Sequence, residues 1–297
     1  MSRAVVHAAP AKLNLALEVL GRRDDGYHEL RSIFATVDLA DRVRVAAGRD
    51  LDVRIRPAVD TRAGTDLGTR AVLAIAAATG RAPLAHVRIR KRIPVAAGLG
   101  GGSSDAGAVL AALAAIWGVE VDLAAIAAAV GSDVPFFVSK APYALVAGRG
   151  ERIVPLAAPA VAVWAVLVRL PVRVATPAVF AELRPAEWSD GRAVEALAAV
   201  FAAGKIDPAR IRAVAPNGLQ AAAERLCPAI ADARRVAEAK GIALRLSGSG
   251  PTLFWIADDR ADALRVARIL RRAGLDSRAR VLGVALPGKR ASAVPLR

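Results

Sequence analysis

Pro94-Val95-Ala96-Ala97-Gly98-Leu99-Gly100-Gly101-Gly102-Ser103-Ser104-Asp105 lies between an alternating stretch at 86–93 and an apolar, alanine-rich run at 105–117. Alternation predicts a half-buried strand and the long run predicts a helix, so the glycines form a strand-to-helix loop. Four glycines within five positions let successive backbone amides converge without Cβ obstruction. Ser103, Ser104 or Asp105 is then placed to cap the helix. Free amides and the positive end of a helix together make an anion cradle. The familiar nucleotide loops do not fit. No lysine follows the glycines as in GxxxxGK[ST], a serine (Ser103) stands where GxGxxG needs glycine, and the protein-kinase HRD and DFG segments are missing.

Outward from the loop, residues 5–9, 13–20, 43–46 and 51–56 read as short strands, with turns at 21–26 and at Gly48. Residues 67–79 read as a helix ended by Gly80, and 123–130 as another that leads into Gly131-Ser132-Asp133-Val134-Pro135. Composition shifts at 155–159, which predicts an N-terminal domain over 1–157 and a C-terminal one over 158–297. The second half reads as a strand at 161–168, helices at 192–203, 218–226 and 229–240, and strands at 243–246 and 252–256. A basic helix and a last strand at 279–285 follow, with a frayed tail after Pro287. Strands and helices mix in both halves without a strict βαβ rhythm, which is the signature of an α+β fold.

Bulk properties bound the function. The 297 residues are 55% hydrophobic and 23% charged, enough for a packed core and against global disorder. Aromatics are only 4%, so that core is built from Ala, Val, Leu and Ile. The longest uncharged apolar stretch, 153–168, carries Pro155 and Pro159 and falls short of the roughly 20 residues a spanning helix needs. Lys12 and Asn14 interrupt any signal-peptide core, so a soluble cytoplasmic protein without a membrane partner is expected, either monomer or homodimer. One cysteine and three distant histidines argue against disulfides and a zinc cluster. The formal charge is +15, and all but six of the 42 basic residues are arginine. They read as scattered and without interleaved aromatics, a solvated surface more than a nucleic-acid site.

Other segments carry chemistry-bearing residues. Lys12 in Ala-Pro-Ala-Lys-Leu-Asn-Leu sits in a strand pattern with Asn14 on the same face, since strand side chains repeat every two residues. Asp133 precedes a Val-Pro pair, where a carboxylate either caps a helix or stands ready for acid–base work. Tyr27 and His28, in Asp-Asp-Gly-Tyr-His, put an aromatic beside an imidazole, a pairing that can stack on a base and bond its edge. A second glycine turn, Leu-Ser-Gly-Ser-Gly-Pro-Thr at 246–252, offers hydroxyls to a phosphate.

Together and in this order, these segments resemble the galacto-, homoserine, mevalonate and phosphomevalonate kinase superfamily. Ala-Pro-Ala-Lys-Leu-Asn-Leu with Asp-Gly-Tyr-His resembles most closely its branch acting on a cytidylated methylerythritol. The resemblance implies a two-domain fold, with a ribosomal-protein-S5-like N-terminal domain and a ferredoxin-like C-terminal domain. It implies ATP-dependent phosphorylation of the 2-hydroxyl of that cytidylated small molecule in the non-mevalonate isoprenoid pathway, with Mg²⁺. By the same resemblance Asp133 is the general base, Lys12 steadies it and the transferring phosphate, and residues 94–104 hold ATP. Tyr27 and His28 take the cytidine, Asn14 contacts the substrate, and Ser104 is the candidate metal ligand. Thr65-Asp66-Leu67 and Asn217-Gly218-Leu219-Gln220 depart from the family's Asn-Asp-Leu and Asn-Asp-[Leu/Phe]-Glu and bear on the adenine side. A homoserine- or mevalonate-type kinase would keep the glycine loop without a use for Tyr27 and His28. An RNA-binding protein would show steeply salt-dependent affinity and no ATP turnover.

Overall fold

The computed structural model describes residues 4–58, 66–214 and 216–283. Two long strands, β1 (Ala4–Arg22) and β2 (His28–Ala47), open the chain, then β3 (Leu51–Arg56), α1 (Leu67–Thr79), β4 (Ala85–Arg90) and α2 (Gly101–Trp117). They are followed by α3 (Leu123–Val130), α4 (Val134–Ser139), β5 (Tyr143–Gly148) and β6 (Arg152–Leu156). The second half runs β7 (Trp164–Arg169), α5 (Thr176–Ala181), α6 (Arg192–Ala202), α7 (Pro208–Val214), α8 (Gln220–Leu226) and α9 (Pro228–Glu238). It closes with β8 (Arg245–Leu246), β9 (Leu253–Ala257), α10 (Arg260–Arg272) and β10 (Asp276–Val281).

The expected α+β class holds, in two sheets. One runs β3-β4-β2-β5-β6, with β1 antiparallel along β2; the other is antiparallel throughout, in the order β10-β7-β9-β8. Among the described strands β3 and β4 alone pair in parallel, with α1 in the connection between them. The two runs read as separate strands at 5–9 and 13–20 are one, because Pro10 sits at a register shift between Pro10 and Ala11 that absorbs its missing amide proton.

Local chemistry explains the helices that were legible. Asp66 caps α1 by accepting from the Thr69 amide at 2.9 Å, and Gly80 ends it in the left-handed conformation. Asp122 caps α3 in the same way. The apolar strand read from 161 starts at Trp164, and the helix read from 218 starts at Gln220. β10 begins at Asp276, earlier than read; residues 284–285, the tail after Pro287 and Thr65 lie outside the described residues.

One apolar core joins the sheets. Leu13, Leu15 and Ile33 of the first sheet pack with Leu167, Phe254 and Ile256 of the second, and Leu197 and Phe201 of α6 complete the cluster. The middle of β1 is thereby clamped between two layers, and that clamp positions Lys12.

The arginines are less scattered than their sequence spacing implied. Arg44, Arg88 and Arg54 are neighbours across β2, β4 and β3, as are Arg42, Arg90 and Arg56 in the next row. These rows occupy the face opposite the buried Val43, Val45, Val87 and Ile89. Asp52 bonds Arg54 at 3.0 Å and Arg88 at 2.7 Å, whereas Arg42, Arg44, Arg56 and Arg90 have no carboxylate partner among the described residues. The strand period of two creates this patch, which linear spacing hides.

Candidate active site

The glycine loop joins β4 to α2, but the helix begins at Gly101 and not at Asp105. Its cap position is Gly100, in the left-handed region at φ 67°, and no side chain caps it, so Ser103, Ser104 and Asp105 do not play the capping part expected of them. A left-handed glycine turns the chain into the helix within one residue and leaves the first amides uncovered. Among the described residues, the amides of Gly101, Gly102 and Ser103 have no acceptor; that of Ser104 donates to the Gly100 carbonyl at 2.9 Å. The free donors thus end at Ser103, one residue earlier than the motif suggested.

The glycines also serve close approach. A Cβ on Gly98 would lie 2.4 Å from the Ser247 carbonyl oxygen, and one on Gly100 would lie 2.9 Å from Lys12 Cγ. The loop is therefore pressed onto the second glycine turn on one side and onto β1 on the other. Ser247 Oγ donates to the Gly98 carbonyl at 3.2 Å, and the Lys12 amide donates to Leu99 at 2.9 Å. The Ser247 hydroxyl expected to meet a phosphate bonds the loop instead. Asn217 Nδ2 holds that turn through the Leu246 and Gly248 carbonyls, at 2.6 and 3.0 Å.

Lys12 and Asp133 come together from segments 121 positions apart in sequence. Lys12 Nζ lies 3.4 Å from Asp133 Oδ2; the lysine side chain is 5% exposed and the carboxylate 30%. Lys12 Nζ also donates to Asn14 Oδ1 at 2.6 Å and stands 4.5 Å from the centroid of the Phe34 ring. Asp133 occupies the cap position of α4, with Pro135 in the first turn, yet its side chain makes no capping hydrogen bond. The carboxylate that could have been an ordinary helix cap faces a buried ammonium. Asn14 donates through Nδ2 to Ser32 Oγ at 2.9 Å, so its amide is engaged at both ends and orients Lys12.

A cavity of about 1140 Å³ opens over these groups. Residues 94–103 line it along with Lys12, Asn14 and Asp133, and so do Tyr27 and His28. Ser104 is not on the lining; it is 1% exposed and its Oγ has no hydrogen-bond partner. Tyr27 is 49% exposed and carries the Arg149 guanidinium 4.9 Å from its ring centroid. His28, the first residue of β2, packs against Phe180 with centroids 5.0 Å apart. Burial, and then the charge of Arg22, push the His28 imidazole below its usual pKa, so the ring is neutral at pH 7.

Several lining residues were not read from sequence. Phe180 and Thr176 sit on α5, a six-residue helix too short to show periodicity. Arg149 follows β5, a buried strand without alternation. Lys91, one of only six lysines and placed just before the loop, was the one with a signal. It pairs with the buried Asp41 and, at 2.6 Å, with Asp105. Burial pushes the Asp105 carboxyl up to about 7, against the opposing pull of Lys91. Among the described residues no group of three or more His, Cys, Asp or Glu side chains could hold a metal ion, and no helix is long and apolar enough to cross a membrane.

A cleft between two sheets, with helix amides on one wall and a lysine–carboxylate pair beside them, is the arrangement of a small-molecule kinase. The sequence matches the GHMP kinases N terminal domain at residues 66–141 and the GHMP kinases C terminal domain at 178–276. It is 38% identical over 297 residues to the 4-diphosphocytidyl-2-C-methyl-D-erythritol kinase of Nocardia farcinica, covering 96% of this chain and 95% of that one. With the enzyme of the same name from Thermus thermophilus it shares 39% over 270 residues, covering 90% and 92%. A solved 4-(cytidine 5'-diphospho)-2C-methyl-D-erythritol kinase superposes with a TM-score of 0.75 at 38% identity, over 95% of this chain and all of that one. A homoserine kinase from Cytophaga hutchinsonii has a TM-score of 0.71 at 18% identity over 97% of each chain, a likeness of fold alone. The fold is therefore that of the GHMP kinases. Within that superfamily, the chain belongs to the 4-diphosphocytidyl-2-C-methyl-D-erythritol kinase family.

Proposed function

We propose that this site transfers the γ-phosphoryl group of ATP to the 2-hydroxyl of 4-diphosphocytidyl-2-C-methyl-D-erythritol, with Asp133 as the general base. The observation that carries the assignment is the Asp133 carboxylate, which leaves its helix uncapped and turns to Lys12 beside the free amides of α2. Asp133 takes the hydroxyl proton as the oxygen–phosphorus bond forms; the β–γ bridge breaks and ADP departs. The Gly101–Ser103 amides and the helix end receive the charge of the phosphates. Lys12, held by Asn14, steadies both the base and the moving group.

The part of the cavity lined by Tyr27 and His28 suits the cytidine. Tyr27 gives a ring to stack on, and a neutral His28 presents one donor and one acceptor to the base edge. Arg22 and Arg149 bring positive charge to the same wall, where a diphosphate would lie. A homoserine- or mevalonate-type acceptor leaves that wall without a task.

Magnesium fits the chemistry of the donors. The orphaned Ser104 hydroxyl is a hard oxygen next to the free amides but lies behind the cavity lining, so with no carboxylate cluster among the described residues the ion's ligands would be mainly phosphate oxygens and water. When bound, the ion neutralises charge on the transferring phosphate. A division of labour between residues 1–157 and 158–297 is part of the same proposal, supported by the change of sheet between Leu156 and Trp164.

Asp133→Asn tests the reading. It lowers kcat by about 10² to 10⁴-fold, the range of general base catalysis, with ATP affinity nearly intact. Product formation followed by ³¹P NMR at the wild-type rate removes the base assignment.

A further inference from the structure

The loop that presents the free amides has almost no internal support. Of its hydrogen bonds, those from Lys12, Ser247 and Thr252 reach the carbonyls of Leu99, Gly98 and Ala97 from outside the loop. Its curvature therefore depends on what fixes its two ends. Both ends meet at one buried ion cluster. Asp41 on β2, 1% exposed, accepts through Oδ1 from the amides of Arg92 and, at 2.9 Å, Ile93, the last residues before the loop. Its Oδ2 accepts from Lys91 Nζ. The same ammonium donates at 2.6 Å to Oδ2 of Asp105, one turn inside α2. The Lys91 side chain is 8% exposed, and that of Asp105 5%. A Cβ built on Gly101 would lie 3.3 Å from Lys91 Nζ, so the cluster sits directly under the first helical amide.

We infer that Lys91, Asp41 and Asp105 are positioning residues, a staple that ties the entrance and exit of the glycine loop to β2 and fixes where the α2 amides stand relative to Lys12. The inference rests on the reading that this loop holds the phosphates of ATP. A buried ion cluster is a poor source of stability compared with apolar packing of the same volume. What it supplies here is directional: two amides and one ammonium converge on Asp41 and the same ammonium reaches Asp105, so four contacts tie β2, residues 91–93 and α2 together. Lys91 and Asp105 border the cavity beneath Gly101, and the part assigned to the triad is to position the loop, not to meet a reacting atom.

The experiment compares wild type with Lys91→Met, Lys91→Arg and Asp105→Asn. It measures the dissociation constant of a non-hydrolysable ATP analogue by calorimetry, KM for each substrate, kcat and Tm. Displacing phosphate-binding amides raises KM and Kd for the nucleotide about tenfold or more in Lys91→Met. KM for the cytidylated acceptor stays within about twofold, because Tyr27 and His28 come from the turn between β1 and β2 and the start of β2, not from the glycine loop. Lys91→Arg, which keeps the charge, recovers much of the loss. Should Lys91→Met fail to fold, Asp105→Asn carries the same comparison with size preserved. Variants that lower Tm yet keep wild-type nucleotide Kd and KM overturn the inference, as does an equal loss for both substrates. A wild-type enzyme that does not bind the analogue at all overturns the reading of the loop itself.

Discussion

Asp133 shows how much one side chain's orientation decides. The residue precedes Val134 and Pro135, a setting in which an aspartate ordinarily caps the helix that follows. Its carboxylate points instead at Lys12, whose ammonium is fixed by Asn14 and by the Phe34 ring. No local pattern in the sequence distinguishes the two uses; the family resemblance implied the pairing with Lys12, and the fold supplies its geometry by bringing β1 and α4 together. His28 makes a titratable prediction at the same scale. Its folded pKa lies below 6.5, so the neutral form that reads a base edge persists at pH 7 and is lost as the pH falls below that lowered value. KM for the cytidylated acceptor therefore rises on acidification in wild type. In His28→Gln, KM starts higher and is flat over the same range; a pH profile of KM for both proteins checks it.

Among elements, the glycine stretch was legible as a strand-to-helix loop that leaves amides free, and its boundary was not. Helix α2 starts at Gly101 because Gly100 adopts the left-handed conformation, a choice that glycine permits and a periodicity count cannot detect. The glycines also differ in what they face, which separates two substitutions that look alike in sequence. A Cβ on Gly101 would lie 2.9 Å from Ile93 Cγ2 in the core, whereas one on Gly102 meets only Leu67 Cδ1 at 3.5 Å. Gly102→Val thus removes nucleotide binding with little change in Tm, and Gly101→Val lowers Tm as well; calorimetry with thermal denaturation checks both. Arg225 supports a different wall. It bonds Glu182 at 2.9 Å and Glu187 at 2.6 Å, holding the segment that carries Leu183 and Trp188 against the cavity. Through these bonds the Glu187 carboxyl is pulled down to about 2, so the pair stays ionised across the working pH range. Arg225→Met raises acceptor KM about tenfold by loosening that wall, with nucleotide KM unchanged; steady-state kinetics with each substrate varied decides.

The whole molecule depends on two sheets sharing one core, so that β1 meets both the glycine loop and the Ser247 turn. The α+β class and most long helices could be read from periodicity, because their apolar faces repeat over several turns. The short α5 and α7, the apolar β5 and the five-residue edge strand β6 could not, since each is too brief or too uniformly apolar to carry a pattern. The arginine rows on the outer face of β2, β4 and β3 are likewise a property of register. Like charges directly across strands repel, and salt screens them. Raising NaCl from about 0.05 to about 0.5 M, well past the screening lengths that matter at this spacing, raises Tm. Arg90→Glu removes most of that salt response, as differential scanning calorimetry reads.

The central assignment puts the nucleotide's phosphates on the Gly101–Ser103 amides and the acceptor's oxygen at Asp133. A crystal structure of the enzyme with a non-hydrolysable ATP analogue and the cytidylated acceptor measures both at once. The account predicts phosphate oxygens within hydrogen-bond reach of those amides and the acceptor hydroxyl about 3 Å from an Asp133 carboxylate oxygen. Phosphates bound away from α2, or an acceptor hydroxyl out of reach of Asp133 with Lys12 turned elsewhere, contradicts it.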